Sequence, residues 1–390
     1  MIKTLKKTAK WSLIILVLLN LAILFSGNTY LYKCITNTLL KGRLGPSITE
    51  YGIFENRKVK AGNYQKWNTS SSYNSAQLSN QHINEFKKME TVSFLIVKND
   101  SLIHEQYWDG YTTDTYSNSF SMAKTFVSIL TGIAINEGKI KSIDQPVGDF
   151  LPPFKEGEKA NLTIRHLLTM SSGINFDEDY INPFAYPAQA YYGSDIKKLT
   201  YKYTVTETPG KTFKYLSGNT ELLVFVLEKA TGETISEYAS EKLWIPLGAK
   251  NNAFWSLDTK NGTEKGYCCF NSNSADFARI GQLYLDSGKW RGNQLIPVSY
   301  VTNSIEAANL LNTNGKKIDN YGYSWWLIPN YKKHAIFYAR GILGQYIICI
   351  PDQKLVIVRL GRKREKSNDD DHPQDLFYYI DAALEMYGNK

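Results

Sequence analysis

The sequence predicts a mixed α/β chain of the α+β type, an antiparallel sheet flanked by helices plus an all-helical insertion. Three observations predict it. Alternating β-branched runs stand near residue 92 and return after residue 335. Helical periodicity fills the stretch between them, and tight turns join neighbouring strands.

In chain order, residues 92–97 alternate, Lys98-Asn99-Asp100-Ser101 reads as a turn and 102–108 continue, which is a β-hairpin. A helical pattern covers 121–136 and stops at Gly138. Further helical segments fall at 163–170, 220–231, 235–244 and 274–285. Strands return at 335–338, 346–350 and 355–360, the last two joined by Pro351-Asp352-Gln353-Lys354. A final helix spans about 373–386. Residues 33–90 are polar and mixed, with a loop signal at 67–72, and read as a leading arm. The expected organisation is a basic segment 1–10, an apolar segment 11–32, the arm 33–90 and a main domain 91–390. Within that domain the sheet comes from 91–110 and 320–362 and the helical part from about 121–315.

Of 390 residues, 43% are hydrophobic and 21% charged, which excludes a disordered chain, a collagen-like repeat and a coiled-coil rod. Four cysteines are too few for a disulfide scaffold. Cys268 and Cys269 are adjacent and are expected to stay unbridged; Cys349 reads as a small buried hydrophobe. Five histidines without paired His/Cys spacing speak against a zinc site, and no cofactor is expected. The net charge of +8 is no nucleic-acid signal. Lys3, Lys6, Lys7 and Lys10 precede an apolar stretch, a membrane-topology feature. The basic run 362–366 is compensated by Asp369, Asp370 and Asp371.

Residues 11–25 read WSLIILVLLNLAILF with no acidic interruption. Extended to Tyr32 the stretch reaches the ~20 residues a membrane span requires. A signal-anchor is the preferred reading over a cleaved signal peptide or a core helix, because no A-x-A pattern follows. Both leading readings place the rest of the chain outside the cytoplasm.

Ser121 and Lys124 stand three apart at the start of a helix, on one face. That suits a nucleophile and its amine partner: a serine hydroxyl attacks poorly until a base takes its proton. The helix start adds free N–H groups and a favourable dipole near an attacked carbonyl. Alone the pattern is weak, and it recurs at Ser194-Asp195-Ile196-Lys197, read as loop. Context strengthens it. Ser121-Met122-Ala123-Lys124-Thr125-Phe126 is followed by Ile164-Arg165-His166-Leu167-Leu168-Thr169-Met170-Ser171-Ser172-Gly173. Pro209-Gly210-Lys211-Thr212-Phe213-Lys214-Tyr215-Leu216-Ser217-Gly218 comes next, then Asp276-Phe277-Ala278-Arg279 and Tyr321-Gly322-Tyr323-Ser324-Trp325-Trp326.

This order of motifs resembles the serine β-lactamase-like family, the penicillin-recognising hydrolases that include class C β-lactamases, D-Ala-D-Ala peptidases and related esterases. The Tyr-x-Ser-Gly form and the late Ala-Arg-Gly look most like the 6-aminohexanoate-dimer hydrolase branch. The resemblance covers roughly residues 90–365 and implies a β-lactamase/transpeptidase-like fold with the site in its cleft. It implies Ser121 as the acylated nucleophile, Lys124 as its amine and Tyr215 as a proton-transfer group toward the leaving atom. The family's late Lys-Thr-Gly or His-Thr-Gly is absent; Ala339-Arg340-Gly341-Ile342 occupies its place. Aligning Gly341 with the motif glycine makes the N–H of Ile342, with that of Ser121, the oxyanion hole. Arg340 stands where the family binds a carboxylate. Ser217 is expected either to bond Lys124 or substrate, or to cap a helix. Tyr180 and Asn271 fall at substrate-contact positions of the branch, with loop and turn as the plainer alternatives. Tyr116-Ser117-Asn118, the 276–279 motif and the tryptophan pair read as loop, packed helix and core respectively.

The function expected is an extracytoplasmic serine hydrolase cleaving a small-molecule ester, amide or peptide through an acyl-enzyme. The membrane is the only other partner expected. The rivals are a D-Ala-D-Ala carboxypeptidase or β-lactamase, and a non-catalytic cell-wall binding protein.

Overall fold

The computed structural model describes residues 2–368 and 371–389. Asp369 and Asp370 of the acidic run lie outside the described residues. The strands are β1 (Asn56–Val59), β2 (Asn68–Thr69), β3 (Thr91–Lys98), β4 (Ser101–Tyr107), β5 (Ser117–Asn118), β6 (Ala253–Ser256), β7 (Phe270–Ser272), β8 (Lys289–Trp290), β9 (Asn293–Gln294), β10 (Trp326–Tyr331), β11 (His334–Gly341), β12 (Gln345–Ile350) and β13 (Leu355–Gly361). The helices are α1 (Ile2–Phe25), α2 (Tyr30–Asn37), α3 (Asn80–Lys88), α4 (Ala123–Asn136), α5 (Ile164–Leu168), α6 (Tyr186–Tyr192), α7 (Ile196–Tyr201), α8 (Ser217–Thr231), α9 (Ile235–Ala239), α10 (Ser274–Leu285), α11 (Val298–Ser304) and α12 (Leu376–Tyr387).

The main sheet runs β10-β11-β12-β13-β3-β4-β2 and is antiparallel except for the edge strand β2. The two ends of the chain meet at its centre, where β13 pairs β3 from Leu355↔Lys98 to Gly361↔Thr91. Alternate side chains of β3 go to opposite faces, as a pleated strand requires. Leu95 and Val97 join the core that holds α10 and the helical part, while Phe94 and Ile96 pack with α12 and α3. The sheet, formed by sequence ends and covered on both faces, is the α+β arrangement expected. A smaller sheet, β1-β6-β7-β5, braces the helical part.

The structure departs from expectation in several places. Residues 33–90 supply β1 to the small sheet and β2 to the large one, and Ile48, Phe54, Val59 and Trp67 enter the core. Ser117 and Asn118, read as loop, form buried β5. The second Ser-x-x-Lys opens a helix: Asp195 caps α7, accepting the Lys198 N–H at 2.9 Å. Trp326 begins β10, a strand the aromatic pair did not announce. Cys268 and Cys269 are joined by a disulfide. Cys269 takes a left-handed conformation, φ 68°, and no pattern in the sequence marks that bend.

Helix α1 contains a 19-residue stretch, Lys7–Phe25, of mean hydropathy 2.1, none of it buried against the rest of the chain. Its length and composition suffice to cross a membrane.

The loop between β6 and β7 is held from inside. Glu221 of α8, fully buried, accepts the Gly266 N–H at 2.9 Å. Burial pushes its carboxyl well above the usual range. Lys265, equally buried, donates to the Leu257 carbonyl at 2.8 Å and lies 4.5 Å from the Phe54 ring centroid. Burial, with Lys33 adding repulsion, lowers its pKa from 10.5 to about 7. The unfolded lysine therefore holds a proton between about pH 7 and 10 that the folded one has released, so this group makes stability rise with pH across that window. The Lys265→Met variant is expected to lose that increment. Paired thermal melts at pH 7 and pH 9.5 check it: the parent should gain more in Tm than the variant does.

Candidate active site

Three pieces of backbone converge at the start of α4. The first is the 3-10 turn Phe120–Met122 that carries Ser121. Phe120 has φ 44°, rare for a bulky residue and costing about 1–3 kcal/mol. Asn118 of β5 supports the turn, its Oδ1 accepting the Phe120 N–H at 2.9 Å. The Tyr116-Ser117-Asn118 stretch, read as loop, thus positions the turn that carries Ser121.

The second piece is α4, whose Lys124 is 1% exposed. Its Nζ donates to Ser121 Oγ at 3.0 Å and to the Tyr267 carbonyl at 2.9 Å. The carbonyl belongs to the loop that Glu221 and Lys265 hold, so the lysine is aimed by residues far along the chain. Tyr215 arrives from the loop before α8, its ring centroid 4.9 Å from Lys124 Nζ. Trp326 backs that ring at 5.3 Å and Tyr321 meets it edge-on at 6.0 Å. The tryptophan pair is core, and Trp326 also forms the wall behind Tyr215.

The third piece is the end of β11. A Cβ on Gly341 would stand 2.2 Å from the Ser119 carbonyl oxygen, so only glycine permits this approach. Immediately beyond it, the N–H of Ile342 has no acceptor among the described residues, nor has the N–H of Ser121. Two free donors flanking a hydroxyl are what a developing oxyanion needs. Ile342 and Ser121 line one cavity, together with Tyr180, Tyr267 and Cys268.

Other expected residues fall elsewhere. Ser217 neither bonds Lys124 nor caps its helix. It is the first residue of α8, after Leu216, and its N–H and Oγ donate to Glu178 at 2.7 and 2.5 Å. The Tyr180 hydroxyl donates to the same carboxylate at 2.7 Å. Glu178, which no motif marks, thus joins two expected positions at the cavity. Asn271 is not brought to the cavity. It is fully buried in β7, and its Nδ2 donates to the carbonyls of Cys269 and Phe254 at 2.8 and 3.1 Å. Arg340 is 9% exposed, its guanidinium carbon 3.4 Å from the Trp326 ring centroid, with Nη1 donating to the Asp371 carbonyl and Nη2 3.5 Å from the Asp371 carboxylate. Its charge is used by the fold. Asp276 and Arg279 pair at 3.0 Å within the core of α10, a structural role. His372 packs with Tyr338, Nδ1 to hydroxyl 2.9 Å.

The Beta-lactamase family profile matches residues 80–379. The chain belongs to the Beta-lactamase family. It is 26% identical over 292 residues to the 6-aminohexanoate-dimer hydrolase of Paenarthrobacter ureafaciens, covering 69% of this chain and 72% of that protein. A Bacillus anthracis structure provisionally named a 6-aminohexanoate-dimer hydrolase superposes with a TM-score of 0.73 at 23% identity, covering 87% of this chain and 93% of that one. A family VIII carboxylesterase superposes with a TM-score of 0.63 at 15% identity, covering 82% and 99%. This Beta-lactamase family member is a serine hydrolase.

Gly341→Ala tests the β11 approach without any substrate. The added methyl must push the strand or the Ser119 carbonyl aside, and overpacking of this kind costs about 1–3 kcal/mol. A lower denaturation midpoint is expected in urea; an unchanged midpoint would mean that the contact is loose.

Proposed function

We propose that this protein is a membrane-anchored, extracytoplasmic serine hydrolase that cleaves an ester or amide through a Ser121 acyl-enzyme. The observation that carries the reading is the Lys124 amine 3.0 Å from Ser121 Oγ, with the Tyr215 ring over it.

In this reading Lys124 and Tyr215 relay the Ser121 proton as Oγ attacks the carbonyl carbon. The Oγ–C bond forms, and the carbonyl oxygen takes the negative charge between the N–H groups of Ser121 and Ile342. Collapse breaks the bond to the leaving oxygen or nitrogen, which receives the proton from the Tyr215 side. Water then attacks the acyl carbon, the bond from that carbon to Ser121 Oγ breaks, Oγ takes back a proton from the water, and the acid leaves.

Arg340 supports ester or amide cleavage over penicillin chemistry. A carboxylate-recognising cation is what the missing Lys/His-Thr-Gly would supply, and the guanidinium near that place is engaged by Asp371 and Trp326. The extracytoplasmic location rests on α1, with lysines ahead of its apolar stretch.

Turnover of p-nitrophenyl acetate by the full chain tests the reading. Ser121→Ala is expected to abolish it, and Tyr215→Phe to lower kcat by about 10²–10⁴. Intact-mass analysis of the parent, quenched during turnover, should find the acyl group on the peptide carrying Ser121. Equal turnover in parent and Ser121→Ala would end the proposal.

A further inference from the structure

The cavity that reaches Ser121 extends under the N-terminal arm. Its volume is about 610 Å³, well within the range of small-molecule sites. Among the described residues no charged side chain lines it, and neither Lys124 nor Tyr215 does. The catalytic serine therefore sits at the boundary between a polar side, holding the amine and the tyrosine, and an apolar side. Helix α2 gives the apolar side Leu31 and Ile35; α6 gives Pro187 and Ala188.

The mouth of this cavity is apolar as well. Leu44 is 95% exposed and Ile181 93%, and Leu39 and Phe184 beside them are exposed too. Apolar rims of this kind are costly in water and mark a contact with something else. What lies nearby is the end of α1. Helix α2 begins at Tyr30, soon after α1 ends at Phe25. The Tyr32 hydroxyl donates to Asn20 Oδ1 at 2.9 Å. Asn20 lies five residues inside α1, about 7.5 Å along its axis from the end. The Tyr30 hydroxyl donates to the Pro183 carbonyl at 3.0 Å, fastening the arm to the loop at the mouth. A bilayer crossed by α1 thus presents its surface to the cavity rim.

We infer that the apolar cavity binds the fatty acyl chain of a membrane-borne ester or amide, admitted from the bilayer past Leu44 and Ile181. The inference rests on the acyl-transfer reading above and names its substrate class. Because Tyr215 stands off the cavity, the leaving group departs on the polar side and the acyl chain fills the apolar one. Ser121 Oγ replaces the alcohol or amine on the acyl carbon, water replaces Ser121, and the products are a fatty acid and the polar fragment.

The test uses the full chain in phosphatidylcholine vesicles and p-nitrophenyl esters from acetate to decanoate. A buried methylene is worth up to about fourfold in binding. The decanoate-to-acetate ratio of kcat/KM is expected to exceed ten and to fall at least fivefold in Ala188→Trp, which fills the cavity. The surface double variant Leu44→Asp with Ile181→Asp, which disturbs no packing, is expected to lower the ratio as well. A ratio equal in parent and both variants, with turnover intact, overturns the acyl-chain site and leaves the hydrolase reading standing. A photoactivatable diazirine fatty acid covers the opposite case. In Ser121→Ala it should label the peptides carrying Ile35 and Ala188. Such labelling without ester turnover by the parent would keep the chain site and remove the hydrolase reading. Labelling confined to α1 overturns the chain site.

Discussion

The contact between Gly341 and the Ser119 carbonyl is the constraint on which the rest of the site depends. The large sheet is built from both ends of the chain, and the nucleophile turn belongs to the helical part between them. These halves meet where a Cβ would stand 2.2 Å from a main-chain oxygen. Because the approach is that close, the N–H after Gly341 comes to the same cavity as Ser121. The left-handed Phe120 makes the matching adjustment on the other side. Asn118 keeps that adjustment by accepting the Phe120 N–H. Backbone strain and the loss of a side chain are both unfavourable for folding. They are concentrated within a few residues of the one hydroxyl held by a buried amine.

The amine itself is aimed from a distance. Lys124 has one hydrogen bond to Ser121 and one to a carbonyl of the loop after β6. That loop has few ways to move: Glu221 holds Gly266, Lys265 is anchored on Leu257, and the Cys268–Cys269 bridge stiffens the next step. Cys268 also lines the cavity. One short loop thus fixes the position of the buried amine and part of the apolar wall, which couples the placing of Lys124 to the shape of the cavity. A preorganised carbonyl costs no reorganisation at the moment of reaction.

Much of this was legible in the sequence where local pattern and final structure agree. Residues 274–285 carry a helical period with polar residues at the start, and α10 spans Ser274–Leu285. The 92–108 hairpin and the strands after 335 are β-branched, and each lies within a residue or two of its expected bounds except β11, which runs three residues past 338 to Gly341. Ser121, Lys124 and Tyr215, whose spacings belong to motifs, are brought together in the structure. What escaped depends on tertiary partners. Ser217 reads equally as a partner of Lys124 or substrate and as a helix cap, yet its hydroxyl is taken by Glu178, 39 residues earlier in a loop without periodicity. Asn271 stands at a substrate-contact position by resemblance, with a turn as the plainer alternative; pairing of β7 with both β5 and β6 buries it instead. The adjacent cysteines were judged by the ordinary extended chain, and the left-handed Cys269 is not readable from neighbouring residue types. The arm at 33–90 is polar on average, and averages hide Ile48, Phe54, Val59 and Trp67, which are spaced too irregularly to signal strands that join two different sheets.

Arg340 shows how a family site is re-specified without touching its chemistry. In a late-strand motif with Lys or His, the cation is free to meet an anionic substrate group. Here the guanidinium stacks on Trp326 and turns to Asp371, so the charge stabilises the wall behind Tyr215 instead. An arginine suits this place better than a lysine, because its flat, weakly hydrated head stacks on an aromatic face and still donates in plane. With that cation engaged and no charged side chain among the described residues of the cavity wall, the proposed reading has substrate selected by apolar contact rather than by charge. The groups around Ser121, Lys124 and Tyr215 need no change for this. In this chain the segment that roofs the cavity is the arm that follows the membrane-length helix, so in the proposed reading substrate selection and anchoring fall to the same stretch of polypeptide.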